Sequence, residues 1–394
     1  MREKMMVMLD ARKEEMIEIR RHLHAHPELS YQEEETAAYI ANFYQGKEVT
    51  LETNVGGNGV VVTIAGGKAG EILALRADFD ALPIEEETGL SFASKNKGTM
   101  HACGHDAHTA YLMVLADCLI ELKAEIPGII KIVHQHAEEA PPGGAKYILE
   151  SGILDDVDHI VGIHVMPEYP VGTVAYRSGA AMAGGTQFKI IIKGIGGHAS
   201  TPHKANDAIV AGSYFVTVLQ TVISRRLDLF EVGVVTVGSF EGRGSFNTIK
   251  DTVTIEGDIR YMKQATFDSL NKEVMHLVKG LEEMFAVQTT MTLEEGCPPV
   301  TNDPELTSSV VDYLKNGLDD YLNEVVEAPM QAANEDFSYY SQKIPSCFFF
   351  VGCRSQREKD YYTNHHPKFD IDEEAIMVAA KAVGDVVCGY FALD

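Results

Sequence analysis

One stretch of eight residues, His101-Ala102-Cys103-Gly104-His105-Asp106-Ala107-His108, holds a thiol, three imidazoles and a carboxylate. Cys and His are the usual protein ligands of a transition-metal ion. Cys103 and His105 flank a glycine, which lets the backbone turn sharply enough for both side chains to reach one point. A second cluster, His134-Gln135-His136-Ala137-Glu138-Glu139, follows, and Pro141-Pro142-Gly143-Gly144 forces a loop beyond it. Paired carboxylates at the end of a strand can divide labour, one binding metal and one handling protons. His164 and the sequence His365-His366-Pro367 complete the set. Four distant segments thus read as one metal centre. The residues alone do not choose between His365 and His366. His134 and His136 alternate along one strand, share a face, and read as packing or supporting residues.

These groups must be carried by regular elements. Val60–Ile64, Ile72–Arg76, Ile129–Val133 and Ile160–His164 have the short apolar runs of buried strands. Helical patterns cover Asp10–His24, His105–Leu122 and Gly144–Ser151. Strand and helix alternate, as in a layered α/β domain. His164 ends its strand, and ligands in α/β sheets sit beyond strand carboxyl ends. After about Gly184 the pattern changes. Strands at Gln187–Lys193, Gly233–Gly238, Thr252–Arg260 and Val287–Leu293 frame helices at Ala205–Ser224 and Phe267–Met284. That order is β-α-β-β-α-β, a split βαβ sandwich of ferredoxin-like type. It ends at the breaker cluster Gly296-Cys297-Pro298-Pro299. A helix at Leu306–Leu318, a strand at Pro345–Val351 and a helix at Asp372–Val387 then resume the first pattern. The expected architecture is a discontinuous α/β domain, residues 1–184 and 297–394, with a small α+β domain inserted at 185–296.

The 394 residues are enough for two or three domains. An apolar share of 45% supports a sizeable core, and a net charge of −25 argues against nucleic acid as a partner. The longest apolar runs, Ile129–Val133 and Phe348–Val351, are too short to span a bilayer. The first twenty residues are charged throughout, so no membrane association is expected and the expected compartment is the cytoplasm. Six cysteines form no CxxC pair. Cys118 and Cys347 read as core fillers, and all but Cys103 as reduced thiols without a role.

Further segments match in order: Arg21–Leu29, Arg76–Pro83, Met100–His108, Gln135–Gly144, Gly162–Met166, Gly196–Pro202, Asp258–Arg260 and His365–Phe369. With these the chain resembles, over nearly its whole length, the dinuclear metal-dependent amidohydrolases of the aminoacylase/carboxypeptidase superfamily. It is most similar to the branch with hippurate hydrolase, auxin-conjugate hydrolases and N-acetyldiaminopimelate deacetylase. The resemblance implies one or two divalent ions (Zn, Mn, Co or Ni) on Cys103, His105, Glu139, His164 and His365. It implies Glu138 as general base and Asp80 as the group that orients a ligand. It implies His198, in Gly196-Gly197-His198-Ala199-Ser200, as an oxyanion stabiliser, and Asn247 and Arg260 as the grip on a substrate carboxylate. A planar guanidinium suits a carboxylate, although Arg260 could instead pair with Asp258. The inserted domain is implied to be a lid and the contact of a homodimer.

The implied reaction is hydrolysis of N-acyl amino acids. A metallo-dipeptidase or carboxypeptidase with the same site is the alternative. A metal-binding protein without activity would not need Glu138. A structural zinc site would be a closed Cys/His set, which this carboxylate-containing one is not.

Overall fold

The computed structural model describes residues 1–318, 320–355 and 361–393. The chain divides into two compact units. The first takes Met1–Ala181, Val300–Met330 and Asp336–Asp394, and the second Met182–Pro299 and Gln331–Glu335.

The first unit opens with helices α1 (Arg2–Ala11), α2 (Lys13–Ala25) and α3 (Glu34–Tyr44), then strands β1 (Thr50–Val55), β2 (Gly59–Ala65) and β3 (Lys68–Asp78). Helix α4 (His105–Leu122), β4 (Pro127–Gln135), α5 (Gly144–Glu150), β5 (His159–Pro170) and β6 (Thr173–Tyr176) follow. The single helix expected at Asp10–His24 is two helices broken at Arg12, whose guanidinium pairs with Glu15 and Asp117.

In the second unit the order is β7 (Gly184–Lys193), α6 (Ala208–Thr221), β8 (Gly233–Glu241), β9 (Thr252–Tyr261), α7 (Gln264–Phe285) and β10 (Gln288–Leu293). The first unit then resumes with α8 (Pro304–Leu314), β11 (Glu324–Glu327), β12 (Ser346–Arg354) and α9 (Glu374–Tyr390).

An eight-stranded sheet of order β1-β2-β4-β3-β5-β12-β6-β11 organises the first unit. Its centre, β4-β3-β5-β12, is parallel, and β1-β2 and the β12-β6 pair are antiparallel. Both faces of the parallel strands are buried, which is why they read as unbroken apolar runs. Helix α4 packs on α2, α9 and β3. Its Leu112, Leu115 and Leu119 are wholly buried, each worth about 1.5–3 kcal/mol. Packing therefore holds α4 in place, and its first turn carries His105.

The second unit is a four-stranded antiparallel sheet of order β8-β9-β7-β10. Along β7, Phe188, Ile190 and Ile192 point inward and Gln187, Lys189, Ile191 and Lys193 outward. The inward face meets Phe215 and Leu219 of α6 and Leu270, Val274 and Val278 of α7. Helix α6 begins at Ala208, later than the expected Ala205, because Asp207 caps it by accepting the Ile209 and Val210 N–H groups. The stretch Ala208–Arg226 is long and apolar enough to cross a membrane by composition, but Ala211, Phe215 and Leu219 lie in this unit's core.

Candidate metal centre

Strands β3, β4 and β5 run in register, with Asp78 opposite Gln135 and Arg76 opposite Gly162. Their carboxyl ends therefore meet at one edge of the sheet. Asp80 follows β3, Glu138 and Glu139 follow β4, and His164 stands two residues past Gly162 on β5.

Cys103 and His105 reach this edge through the turn that starts α4. Gly104 is the cap residue, with φ +92°. A β-carbon there would lie 2.4 Å from Val165 Cγ2, so only glycine fits by both conformation and space. Cys103 Sγ lies 3.3 Å from His164 Nε2. His164 Nδ1 faces the Val165 carbonyl oxygen at 2.7 Å and donates to it, which leaves the Nε2 lone pair for a ligand role. His365 is brought in by its own N–H, donated to the Ala102 carbonyl at 2.7 Å.

Asp80 works in two directions. Its Oδ1 is 3.1 Å from His105 Nδ1, and its Oδ2 accepts the Glu139 N–H at 3.0 Å and the Ser30 hydroxyl at 2.7 Å. His105 Nε2 is thereby turned towards Glu139 Oε1, 3.9 Å away. His365 Nε2 approaches the same oxygen to 3.1 Å. His366 instead stacks on Tyr362 and accepts the Lys368 N–H.

Among the described residues, the groups whose ligand atoms converge within 4.8 Å include Cys103, His105 and His164; Cys103, Glu139 and His365; and His105, Glu138 and Glu139. The donor set fits a divalent cation. His105 Nε2 is buried with no hydrogen-bond partner, a costly state unless something binds it. Burial opposes charge on His105, but Asp78, Asp80 and Glu139 outweigh it and raise its pKa to about 10. Burial, then Glu139 and Glu138, push the Cys103 thiol well above its ordinary value. The His105 shift reports surplus negative charge, and the same carboxylates add to the effect of burial on Cys103. A bound cation would neutralise it, displacing the imidazole proton and the thiol proton.

A buried frame supports the ligands. His108 Nδ1 bonds Asp78 Oδ1 at 2.6 Å, and its Nε2 accepts the Val165 N–H at 2.9 Å. Both its nitrogens are committed, so His108 positions β5 rather than binding metal. Arg76 donates to Asp78 at 2.5 Å, to Gln135 at 2.9 Å and to Asp336 at 2.9 Å. Asp336 also accepts from Gln135 Nε2 and the Ala145 N–H, and its own N–H reaches Glu138 Oε1 at 3.4 Å. At the start of α4, Asp106 takes Arg20 at 3.1 Å and His24 at 2.8 Å. Burial opposes ionisation of Asp106, but these two cations hold its pKa well below the usual range. Sequence reasoning missed Asp336. The available signal was the charge of Arg76 inside an apolar strand, which demands a buried partner.

His198, Asn247 and Arg260 belong to the second unit. His198 pairs with Thr248 across two short strands, and the Ala199 N–H donates to the Asn247 carbonyl at 3.0 Å, so His198 and Asn247 are neighbours. His198 Nδ1 accepts the Ser200 N–H at 3.2 Å. The neutral ring therefore carries its proton on Nε2. Arg260 pairs with Asp258 at 2.7 Å and donates to Asn334. The local pairing with Asp258 is thus present.

Residues 74–388 match the model of peptidase family M20/M25/M40. The chain belongs to this family. It is 39% identical over 374 residues to the N-acetyl-L-cysteine deacetylase of Bacillus subtilis, covering 95% of this chain and 88% of that protein. It is 36% identical over 370 residues to thermostable carboxypeptidase 1 of Saccharolobus solfataricus, covering 93% of each. The crystal structure of Bacillus subtilis YXEP, described as a dinuclear metal-binding peptidase from the M20 family, superposes with TM-score 0.84 at 32% identity. The match covers 98% of this chain and all of that one. As an M20/M25/M40 member, the chain is a metal-dependent amidohydrolase with one or two divalent ions.

Gly104→Ala should damage this centre directly. The added methyl group meets Val165 and a left-handed φ, at a cost of at least about 1–2 kcal/mol. Thermal unfolding should start lower, and metal affinity, read by competition with a chromophoric chelator, should fall roughly tenfold. Unchanged affinity would mean that the turn does not set the Cys103–His105 geometry.

Proposed function

We propose that the chain hydrolyses the amide bond of N-acyl amino acids, with Glu138 as general base. The observation that carries this reading is the pair Glu138-Glu139. Glu139 is aimed at His105 and His365, while Glu138 accepts the Asp336 N–H beside the same cluster. Cys103, His105, Glu139, His164 and His365 would hold the ions, which when bound supply the Lewis acidity that makes water a nucleophile near neutral pH. Glu138 takes a proton from the attacking water and delivers it to the leaving amine nitrogen. Asp80 keeps His105 and the Glu139 backbone in place during this exchange.

The second unit supplies the grip on the substrate. The exposed His198 offers an Nε2–H to a developing oxyanion. Asn247 and Arg260 take the free carboxylate of the amino-acid half. Asp258 holds the Arg260 guanidinium in one orientation, and its remaining N–H groups are directed by that pairing. This unit is also the contact of a homodimer. Ile209, Val210 and Tyr214 of α6 and Val234 of the edge strand β8 are exposed apolar residues, a surface that a second copy would cover. Metallo-dipeptidase or carboxypeptidase activity is the second reading, favoured by the carboxypeptidase relative.

Glu138→Gln should keep its fold and metal content yet lose about 10²–10⁴-fold in kcat on an N-acetyl amino acid. Near-normal turnover at full metal content would remove Glu138 from the role. Arg260→Ala should hurt N-acyl amino acids more than the matching amino-acid amides, which carry no negative charge. The differential in kcat/KM should correspond to about 2–3 kcal/mol. Equal losses on charged and neutral substrates would make Arg260 a partner of Asp258 and no more.

A further inference from the structure

Glu33 stands at the foot of α3 and is wholly buried. Among the described residues its partners are not cations: one oxygen accepts from Asn58 Nδ2 at 3.0 Å, and the other accepts the Ala137 N–H at 2.8 Å. A buried carboxylate without a cation is costly. What this one holds is the residue before Glu138.

Ala137 is buried and has φ +52°. That left-handed conformation is uncommon for a residue with a β-carbon, and it strains the backbone. It turns the chain out of the line of β4, which ends at Gln135, and carries Glu138 and Glu139 to the ligand cluster. Such strain persists only where the surroundings fix it. Here both backbone groups are fixed. The N–H is held by Glu33, and the carbonyl accepts the Gly144 N–H at 3.0 Å. Gly144 has no room for a side chain, since a β-carbon there would lie 1.9 Å from the His136 carbonyl oxygen. Other residues between α2 and α3 brace the same loop. Tyr31, itself left-handed at φ +66°, donates its hydroxyl to the Ala140 carbonyl and accepts the Gly143 N–H, both at 3.1 Å. Ser30 donates to Asp80. Of these three side chains, Glu33 is the one that touches the residue preceding Glu138.

We propose that Glu33 is a positioning residue for the hydrolysis: by accepting the Ala137 N–H it holds the left-handed turn that aims Glu138 at the attacking water. The proposal rests on Glu138 being the base and adds the group that sets its direction.

The test compares Glu33→Leu, which removes the acceptor, with Glu33→Gln, which keeps one, in the metal-loaded enzyme. On an N-acetyl amino acid, kcat in Glu33→Leu should fall roughly 10–100-fold, with KM little changed. Glu33→Gln should recover most of that loss. Ala137→Gly, added to Glu33→Leu, should restore kcat roughly three- to tenfold, because glycine takes a left-handed turn without a side-chain penalty. A contribution to stability alone would lower the unfolding temperature and leave kcat per folded, metal-loaded chain unchanged. Should Glu33→Leu fail to fold, Glu33→Asp, one methylene shorter, takes its place with the same expectation. Full kcat in the variant without the acceptor, a loss in Glu33→Gln as deep as in that variant, or no gain from Ala137→Gly overturns the proposal. The base reading fails separately. An active, metal-loaded Glu138→Gln removes the base, and the role of Glu33 towards it goes too. If Glu138→Gln is inactive while Glu33→Leu is fully active, only the assignment of Glu33 falls.

Discussion

A guanidinium with no access to water fixes the geometry of this site. Arg76 is fully buried inside β3 and must be neutralised where it lies. It does so on Asp78 of its own strand, Gln135 at the end of β4, and Asp336 from the last third of the chain. Asp78 in turn fixes His108, and His108 fixes the N–H of Val165 beside His164. Asp336 offers its own N–H to Glu138. The segments carrying Asp80, Glu138, Glu139 and His164 are thus all referenced to one cation. Breaking a buried pair of this kind typically costs about 3–5 kcal/mol, whereas an exposed pair such as Lys4 with Glu125 is screened by solvent and contributes little. The frame does not guarantee net stability, since apolar replacements of buried ion pairs can be neutral or better. What it provides is a single arrangement of strand ends.

That arrangement concentrates negative charge. The proposed ligand set contains a thiol and a carboxylate, with Glu138, Asp80 and Asp78 close behind, and the nearby Arg76 charge is already shared between Asp78 and Asp336. The raised pKa of His105 expresses this imbalance, and Glu139 and Glu138 add to the burial that raises the Cys103 thiol. A divalent cation corrects it. The proposed base, Glu138, sits in the same field. Its neighbour Glu139 is aimed at His105 and His365, while Glu138 accepts the Asp336 N–H.

Local pattern made much of this legible. Buried parallel strands read as apolar runs because both their faces are covered, so β3, β4, β5 and β12 stood out. The Cys103-Gly104-His105 turn was visible because glycine at a left-handed position is a chemical requirement. The choice of His365 over His366 came from resemblance, and its geometric reason is the bond from the His365 N–H to Ala102, which no sequence pattern encodes. Elements fixed by distant partners were not legible. The break at Arg12 depends on Asp117, and Asp336 lies 260 residues from Arg76. Short strands such as β6 and β11 pair at the sheet edge and carry little periodicity of their own. The return of Gln331–Glu335 to the second unit is likewise a tertiary fact. Arg260 shows the limit from the other side. Its pairing with Asp258 was foreseeable from their spacing on one strand face, and that pairing fits both a substrate grip and a purely local ion pair.

In the proposed centre the Cys103 thiolate joins His105, Glu139, His164 and His365 around the metal. X-ray absorption at the zinc edge of the zinc-loaded protein measures this directly. A sulfur scatterer should appear at about 2.3 Å among nitrogen and oxygen neighbours and be lost in Cys103→Ser. A fully loaded protein whose zinc sees only nitrogen and oxygen would contradict it.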